Sequence, residues 1–140
     1  MIERQSTCVA IDGRALLIEG LPGTGKSSLA LELIDRGAAL VGDDSLILET
    51  AGPRLIARPH PRTRGLIEVR NLGLLPFPVC EEAPVSLVLI LDSEAPRFLE
   101  AARMTAIGGI DLPVLDVWPG VPPLALKAEL ALARYGLSFD

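Results

Sequence analysis

The sequence predicts an α/β domain whose sheet is mixed, with antiparallel pairs beside parallel ones. Three observations carry this expectation. Strand-like apolar runs are interleaved with stretches of helical period, the pattern of layered α/β domains. Asp12-Gly13 separates two β-prone runs, as a two-residue hairpin turn requires. Residues 85–91 are apolar almost throughout, as in a strand buried on both faces.

The elements follow in order. Thr7–Ile11 is the first strand and residues 15–19 the second, joined by the Asp12-Gly13 turn. A glycine-rich loop follows, and residues 27–36 read as a helix. Leu29, Ala30, Leu33 and Ile34 share one face of it, and Gly37 is placed to end it. Residues 38–41 form a short strand broken by Gly42-Asp43-Asp44, and residues 46–48 resume strand character. Ala51-Gly52-Pro53 is a turn from which residues 55–57 pair back. Residues 59–65, rich in proline and arginine, read as an exposed loop. Leu66–Val69 is a strand and Asn71-Leu72-Gly73 a turn. Beyond residues 85–91, Ser93 is placed to cap a helix entered near Pro96, with Phe98, Leu99, Ala102 and Met104 partly facing the core and Gly108-Gly109 ending it. Residues 112–117 are a last strand. Pro122-Pro123 opens a C-terminal helix carrying Leu126 and Leu130, closed by Gly136.

The 140 residues fit a single domain, 1–140. Hydrophobic residues make up 49% and aromatic ones only 4%, so the core is expected to be aliphatic. A net charge of −5 argues against a nucleic-acid or anionic-membrane partner, since those binders carry a basic face. Cys8 and Cys80 lie far apart in no metal-ligand spacing and are expected to be reduced. No apolar run reaches the ~18–20 residues that cross a bilayer, and the first residues lack a signal-peptide pattern. A soluble, cytoplasmic protein is the expectation.

Chemistry concentrates in Gly20-Leu21-Pro22-Gly23-Thr24-Gly25-Lys26-Ser27-Ser28. Gly, four residues, then Gly-Lys-Ser between a strand and a helix is the phosphate-cradling pattern. Gly23 and Gly25 let several backbone N–H groups converge, and the helix start adds its positive dipole end. Lys26 can reach the β- and γ-phosphates, and the Ser27 hydroxyl is placed for Mg²⁺. ATP with Mg²⁺ is the expected ligand. Two sets of carboxylates could complete the site. Asp92 ends the apolar run 85–91, and Asp43-Asp44 follows the strand after the first helix, one acid facing the metal and the other the attacking group. Pattern leaves both open.

The stretch from Val9-Ala10-Ile11-Asp12-Gly13 through the phosphate loop to Leu40-Val41-Gly42-Asp43-Asp44 resembles the catalytic domain of HPr kinase/phosphorylase. Leu66-Ile67-Glu68-Val69-Arg70-Asn71-Leu72-Gly73 is similar to that family's acid-apolar-Arg-Gly-x-Gly signature. The resemblance covers about the first 75 residues, and the length resembles the family's reduced members, which consist of the catalytic domain alone. It implies a P-loop domain with a largely antiparallel sheet, similar to the phosphoenolpyruvate carboxykinase core. It implies an ATP- and Mg²⁺-dependent serine kinase acting on HPr or an HPr-like phosphocarrier of the phosphotransferase system, with the reverse phosphorylase activity in many members. Carried over by position, Lys26 holds the phosphates, Asp44 is the base toward the serine hydroxyl, and Asp43 supports it. Ser27, Glu68 and Asp44 are the metal-side oxygens, with Arg70 shaping that corner. The family's assemblies imply a homo-oligomer, with a hexamer as the model. Under this reading Asp92 reverts to a structural role.

Three positions depart from the family. Gln5 stands where many members carry a histidine. Asn71 replaces the first glycine of the Glu-x-Arg-Gly-x-Gly segment, and asparagine tolerates positive φ best among the other residues. The arginine loop that longer members carry near the C-terminal end has no match; Leu115-Asp116-Val117-Trp118-Pro119-Gly120 stands roughly there, without an arginine. Arg58, Arg62 and Arg64 read as a basic loop beside Glu68, His60 as a surface residue, and Trp118 as a packing or contact residue. The residues alone also admit a small-molecule P-loop kinase or ATPase, or a nucleotide-binding regulatory module with weak catalysis.

Overall fold

The structure, a computed structural model, describes residues 1–139. Its strands are β1 Ile2–Arg4, β2 Thr7–Ile11, β3 Arg14–Gly20, β4 Ala39–Gly42, β5 Leu46–Ala51, β6 Arg54–Pro59, β7 Leu66–Val69, β8 Gly73–Pro76, β9 Ala83–Leu91, β10 Arg103–Ile107 and β11 Ile110–Val117. The helices are α1 Lys26–Asp35 and α2 Leu124–Tyr135. The main sheet runs β1-β5-β6-β9-β3-β2-β4, and β11 joins β9 with β10 outside it. β7 and β8 form a separate hairpin. Among the strand pairs of the described residues, only β3–β9 and β9–β11 run parallel, so the sheet is mixed and largely antiparallel, as expected.

Alternation along the strands builds two core layers. In β2 and β3, Val9, Leu16 and Ile18 face α1 and α2, joining Leu29, Leu33, Ala128 and Leu132. Cys8, Ala10 and Leu17 face the other way, onto Leu46, Leu48, Leu55 and Ala57 of the β5–β6 hairpin. The sheet therefore folds back over itself on one face and carries both helices on the other. β9 is buried along almost its whole length because it has neighbours on both edges and layers on both faces.

The Asp12-Gly13 turn is present, with φ of 50° and 79° at the two residues. Both are positive, as a type I′ turn demands. α1 ends at Gly37, whose φ of 112° lets Ala38 N–H reach the Leu33 carbonyl at 3.0 Å.

Two expectations are corrected, the helix at residues 93–107 and the basic loop. No helix fills residues 93–107. Residues 92–102 are irregular, and Arg103–Ile107 is a strand paired with β11. Gly108 and Gly109 both have positive φ and form a hairpin turn instead of a helix stop. Phe98, Leu99 and Met104 are consequently exposed. On α2, Leu126 and Leu130 are exposed, while Leu124, Ala125, Ala128, Ala131 and Leu132 are buried. The small alanines let α2 lie close on the sheet. β1 and β8 form where no strand was expected, through backbone pairing with β5 and β7. The arginines do not make a free basic loop. Arg58 lies on β6 between Glu49 and Glu82, at 2.6 and 2.8 Å, and Arg64 pairs with Glu81.

Candidate active site

β3 carries the chain upward to Gly20, between β9 and β2. Gly20 packs so closely that a Cβ would stand 2.8 Å from Thr24 Oγ1 and 2.9 Å from the Leu91 carbonyl oxygen. Thr24 closes the loop locally, its N–H and hydroxyl both donating to the Leu21 carbonyl. Gly25, at φ 98°, turns the chain into α1, where no side chain caps the helix. The first helical N–H groups are thus left for a ligand. Gly23 and Gly25 have no atom within 4 Å of where a Cβ would point. This is the open backbone cradle that a phosphate needs. Lys26 Nζ donates to the Gly20 carbonyl at 2.7 Å, placing the ammonium over the loop.

β4 delivers the acids. It pairs antiparallel with β2, with a register shift between Cys8 and Val9, and Gly42 ends it. Ser27 Oγ donates to Asp43 Oδ1 at 2.6 Å. Thr7 Oγ1 donates to the same oxygen at 3.1 Å and accepts the Asp44 N–H at 3.2 Å. One threonine, 1% exposed, therefore fixes both acids. Asp44 takes φ 62°, a conformation aspartate tolerates better than most residues. Asp44 is exposed, and Gln5 Nε2 donates to its Oδ1 at 3.5 Å, a long hydrogen bond. The two carboxylates differ in kind. Asp43 is tied to the loop serine, whereas Asp44 remains turned to solvent with only a weak partner among the described residues.

The β7–β8 hairpin brings the third acid. Phe77 N–H to Gly65 O closes its base, and Leu40 N–H to Pro78 O and Cys80 N–H to Leu40 O lash it to β4, each at 2.9 Å. Asn71 in its turn has φ 73°, the conformation a glycine would otherwise supply. Glu68 and Arg70 then line one cleft of about 510 Å³ with Thr7, Gly23, Gly25, Lys26, Ser27, Ser28, Asp43 and Asp44. Among the described residues, no three His, Cys, Asp or Glu side chains are gathered tightly enough to hold a metal unaided. A hydroxyl and separate carboxylates suit Mg²⁺, which keeps waters and takes one or two carboxylates plus substrate phosphates.

The remaining candidates lie elsewhere. Leu21 and Pro22 form the exposed crest of the loop, and Thr24 faces a second cleft. Asp92 is not in the acid cleft. Its carboxylate accepts the Glu94 N–H at 2.9 Å and its own N–H donates to Val117 O, so it shapes the turn after β9. His60 Nδ1 accepts the Arg62 N–H at 3.1 Å, which places the ring proton on Nε2, facing Glu3 Oε1 at 3.3 Å. Sequence reasoning missed Thr7, whose role depends on strand pairing. It also missed Arg4, which grips Glu19 at the foot of the loop through two hydrogen bonds of 2.6 and 2.9 Å. That carboxylate raises the Arg4 guanidinium above its ordinary range.

Comparison with known proteins bears on this geometry. Residues 2–79 match the family described as HPr Serine kinase C-terminal domain. HPr kinase/phosphorylase of Chlorobium chlorochromatii is 33% identical over 128 residues, covering 80% of this chain and 38% of that protein. HPr kinase/phosphorylase of Mycoplasma mycoides subsp. mycoides SC is 35% identical over 96 residues, covering 64% of this chain and 31% of that protein. The chain thus spans little more than a third, at most, of the length of these curated relatives. Among solved structures, the Hpr(Ser) kinase/phosphatase from Coxiella burnetii superposes with a TM-score of 0.84 at 28% identity, covering 96% of this chain and 95% of that one. No helix here is long and apolar enough to cross a membrane among the described residues.

Proposed function

This chain belongs to the HPr serine kinase C-terminal domain family, and from that premise we propose that it transfers the γ-phosphoryl group of ATP to a serine of an HPr-like phosphocarrier. The observation that carries the reading is the unequal state of the two acids. Asp43 is held by Ser27 and Thr7, and Asp44 is left exposed beside Lys26, Ser27 and Glu68.

The loop backbone and Lys26 bind and orient the triphosphate, which is most of what phosphoryl transfer asks of a protein. Asp44 takes the proton from the acceptor serine hydroxyl. The serine oxygen bonds to the γ-phosphorus as the bond from that phosphorus to the bridging oxygen breaks, and ADP leaves. Asp43 keeps the Ser27 hydroxyl aimed into the cleft. Ser27, Glu68 and Asp44 would hold Mg²⁺, which when bound offsets charge between the β- and γ-phosphates. The reading is of a cytoplasmic enzyme that works as a homo-oligomer.

Incubation with γ-labelled ATP, Mg²⁺ and a small HPr-like protein is expected to yield acid-stable phosphoserine. Asp44→Asn should lower transfer at least about a hundredfold, the range for loss of a general base, while ATP binding stays within about twofold. Transfer to a metabolite, or full activity in Asp44→Asn with loss in Asp92→Asn, would overturn the assignment.

A further inference from the structure

A sheet is open at its outermost strands, where unpaired backbone groups invite another strand. The main sheet ends at β1 and β4, and its branch ends at β10. Two of these edges are blunted. β1 is three residues long and carries Glu3 and Arg4. β4 is covered on its outer side by the chain around Val79, through Leu40 N–H to Pro78 O and Cys80 N–H to Leu40 O. β10 has neither protection. It is five residues long, pairs with β11 in unbroken register, and has no other strand beside it among the described residues. Its one charge, on Arg103, is taken up by Asp116. Met104 stands 56% exposed on it, and Phe98 and Leu99 are exposed in the stretch just before it. We propose that β10 is an interface between two copies of this chain, paired antiparallel about a two-fold axis at Thr105.

Hairpin geometry fixes the register. The two-residue turn Gly108-Gly109 closes on Ile107 and Ile110 as a hydrogen-bonded pair. Alternation then turns the backbone groups of Thr105 and Arg103 toward β11 and leaves the N–H and C=O of Met104 and Ala106 pointing outward. Pro113 stands opposite Met104, and a residue without an N–H suits a pair that exchanges no hydrogen bonds. With the axis at Thr105, Met104 of each copy faces Ala106 of the other, and their outward groups bond to one another. A large side chain meets a small one twice on one face, and Thr105 meets itself on the other, a cross-strand pair that sheets favour. The edge is thus complementary to itself, as a two-fold interface requires, and a second copy is its occupant. β4, which carries the acids, lies at the far end of the run β4-β2-β3-β9-β11-β10, so both acid clefts stay open. The inference rests on the homo-oligomer reading above and adds the surface to it.

Sedimentation equilibrium of the full chain over a concentration series tests this. Met104→Lys, at an exposed edge position, should raise the dissociation constant between copies at least about tenfold. Leu130→Lys, the same change at an exposed site on α2, should leave it as it is. A second measurement is covalent. Residues facing each other in a non-hydrogen-bonded antiparallel pair have Cα atoms about 4.5 Å apart, within disulfide reach. Thr105→Cys should therefore give a disulfide-linked dimer under mild oxidation, well above the level in the parent chain with Cys8 and Cys80 alone. Met104→Cys, displaced from the axis, should stay at the parent's level. Association that Met104→Lys leaves unchanged, or that Leu130→Lys weakens equally, would overturn the β10 interface while the homo-oligomer reading stands. So would a Thr105→Cys chain that links no more than its parent. A parent chain that stays monomeric up to about 1 mM would defeat the homo-oligomer reading and this interface with it.

Discussion

Gly20 shows how narrowly a single residue can be constrained. Its φ is 148°, and any side chain there would press on Thr24 Oγ1 and the Leu91 carbonyl. Gly20→Ala should destabilise the fold by about 2 kcal/mol, through overpacking and backbone strain together. Urea denaturation would read this as a lower midpoint at unchanged slope. Gln5 offers a different test, because its amide meets Asp44 but cannot take up a proton near neutrality. In Gln5→His, the transfer rate should gain an inflection near pH ~6.5 that the parent lacks. Protonated imidazole beside Asp44 lowers that carboxylate's proton affinity and makes it a weaker base, so transfer should fall on the acid side of that inflection. A pH–rate profile decides the matter. These residues also mark what a sequence can disclose. The loop from Gly20 to Ser28 is legible because its phosphate-cradling pattern is contiguous in sequence. Thr7 is not, because it is one polar residue in a strand until the β2–β4 register sets it against Asp43.

At the scale of elements, the same distinction separates right expectations from wrong ones. α1, the β2–β3 hairpin and the strand at residues 85–91 follow from local period and turn chemistry. Residues 93–107 look helical because Ser93, Pro96 and a glycine pair are also the punctuation of a helix. The outcome is decided by β11, whose edge offers Arg103–Ile107 a ladder. The irregular stretch before β10 has its own anchor in Trp118, whose Nε1 donates to the Ala95 carbonyl at 2.6 Å. Trp118→Phe removes that bond while keeping the ring. It should cost about 1 kcal/mol locally, seen as roughly fivefold faster amide exchange in residues 95–102. The Asp92 amide, bonded to Val117 O, should be unaffected.

Across the whole molecule, the layer between β2–β3 and β5–β6 seals Cys8 completely, and burial pushes its thiol well above the ordinary range, with Cys80 adding to the shift. A thiol reagent at about pH 8 should therefore modify Cys80, which is half-buried, and reach Cys8 only on unfolding. The sign for stability follows from linkage. The folded chain keeps a proton that the unfolded chain releases, so this contribution is intact below the ordinary thiol pKa of 9.0 and is lost as pH climbs above it. Cys8→Ala should show a shallower alkaline fall in Tm. β9 has a consequence of a different kind. It is the strand that β3, β6 and β11 all need, yet it begins at Ala83, after the matched family residues end at 79. During translation, every side chain of the acid cleft is therefore made before the strand that braces the loop's foot. At about 5–20 residues per second, the nascent chain waits a second or more with the β3 edge bare. On the function proposed above, competence to hold nucleotide begins, in the life of each molecule, only once residue 91 has been added and has cleared the ribosome.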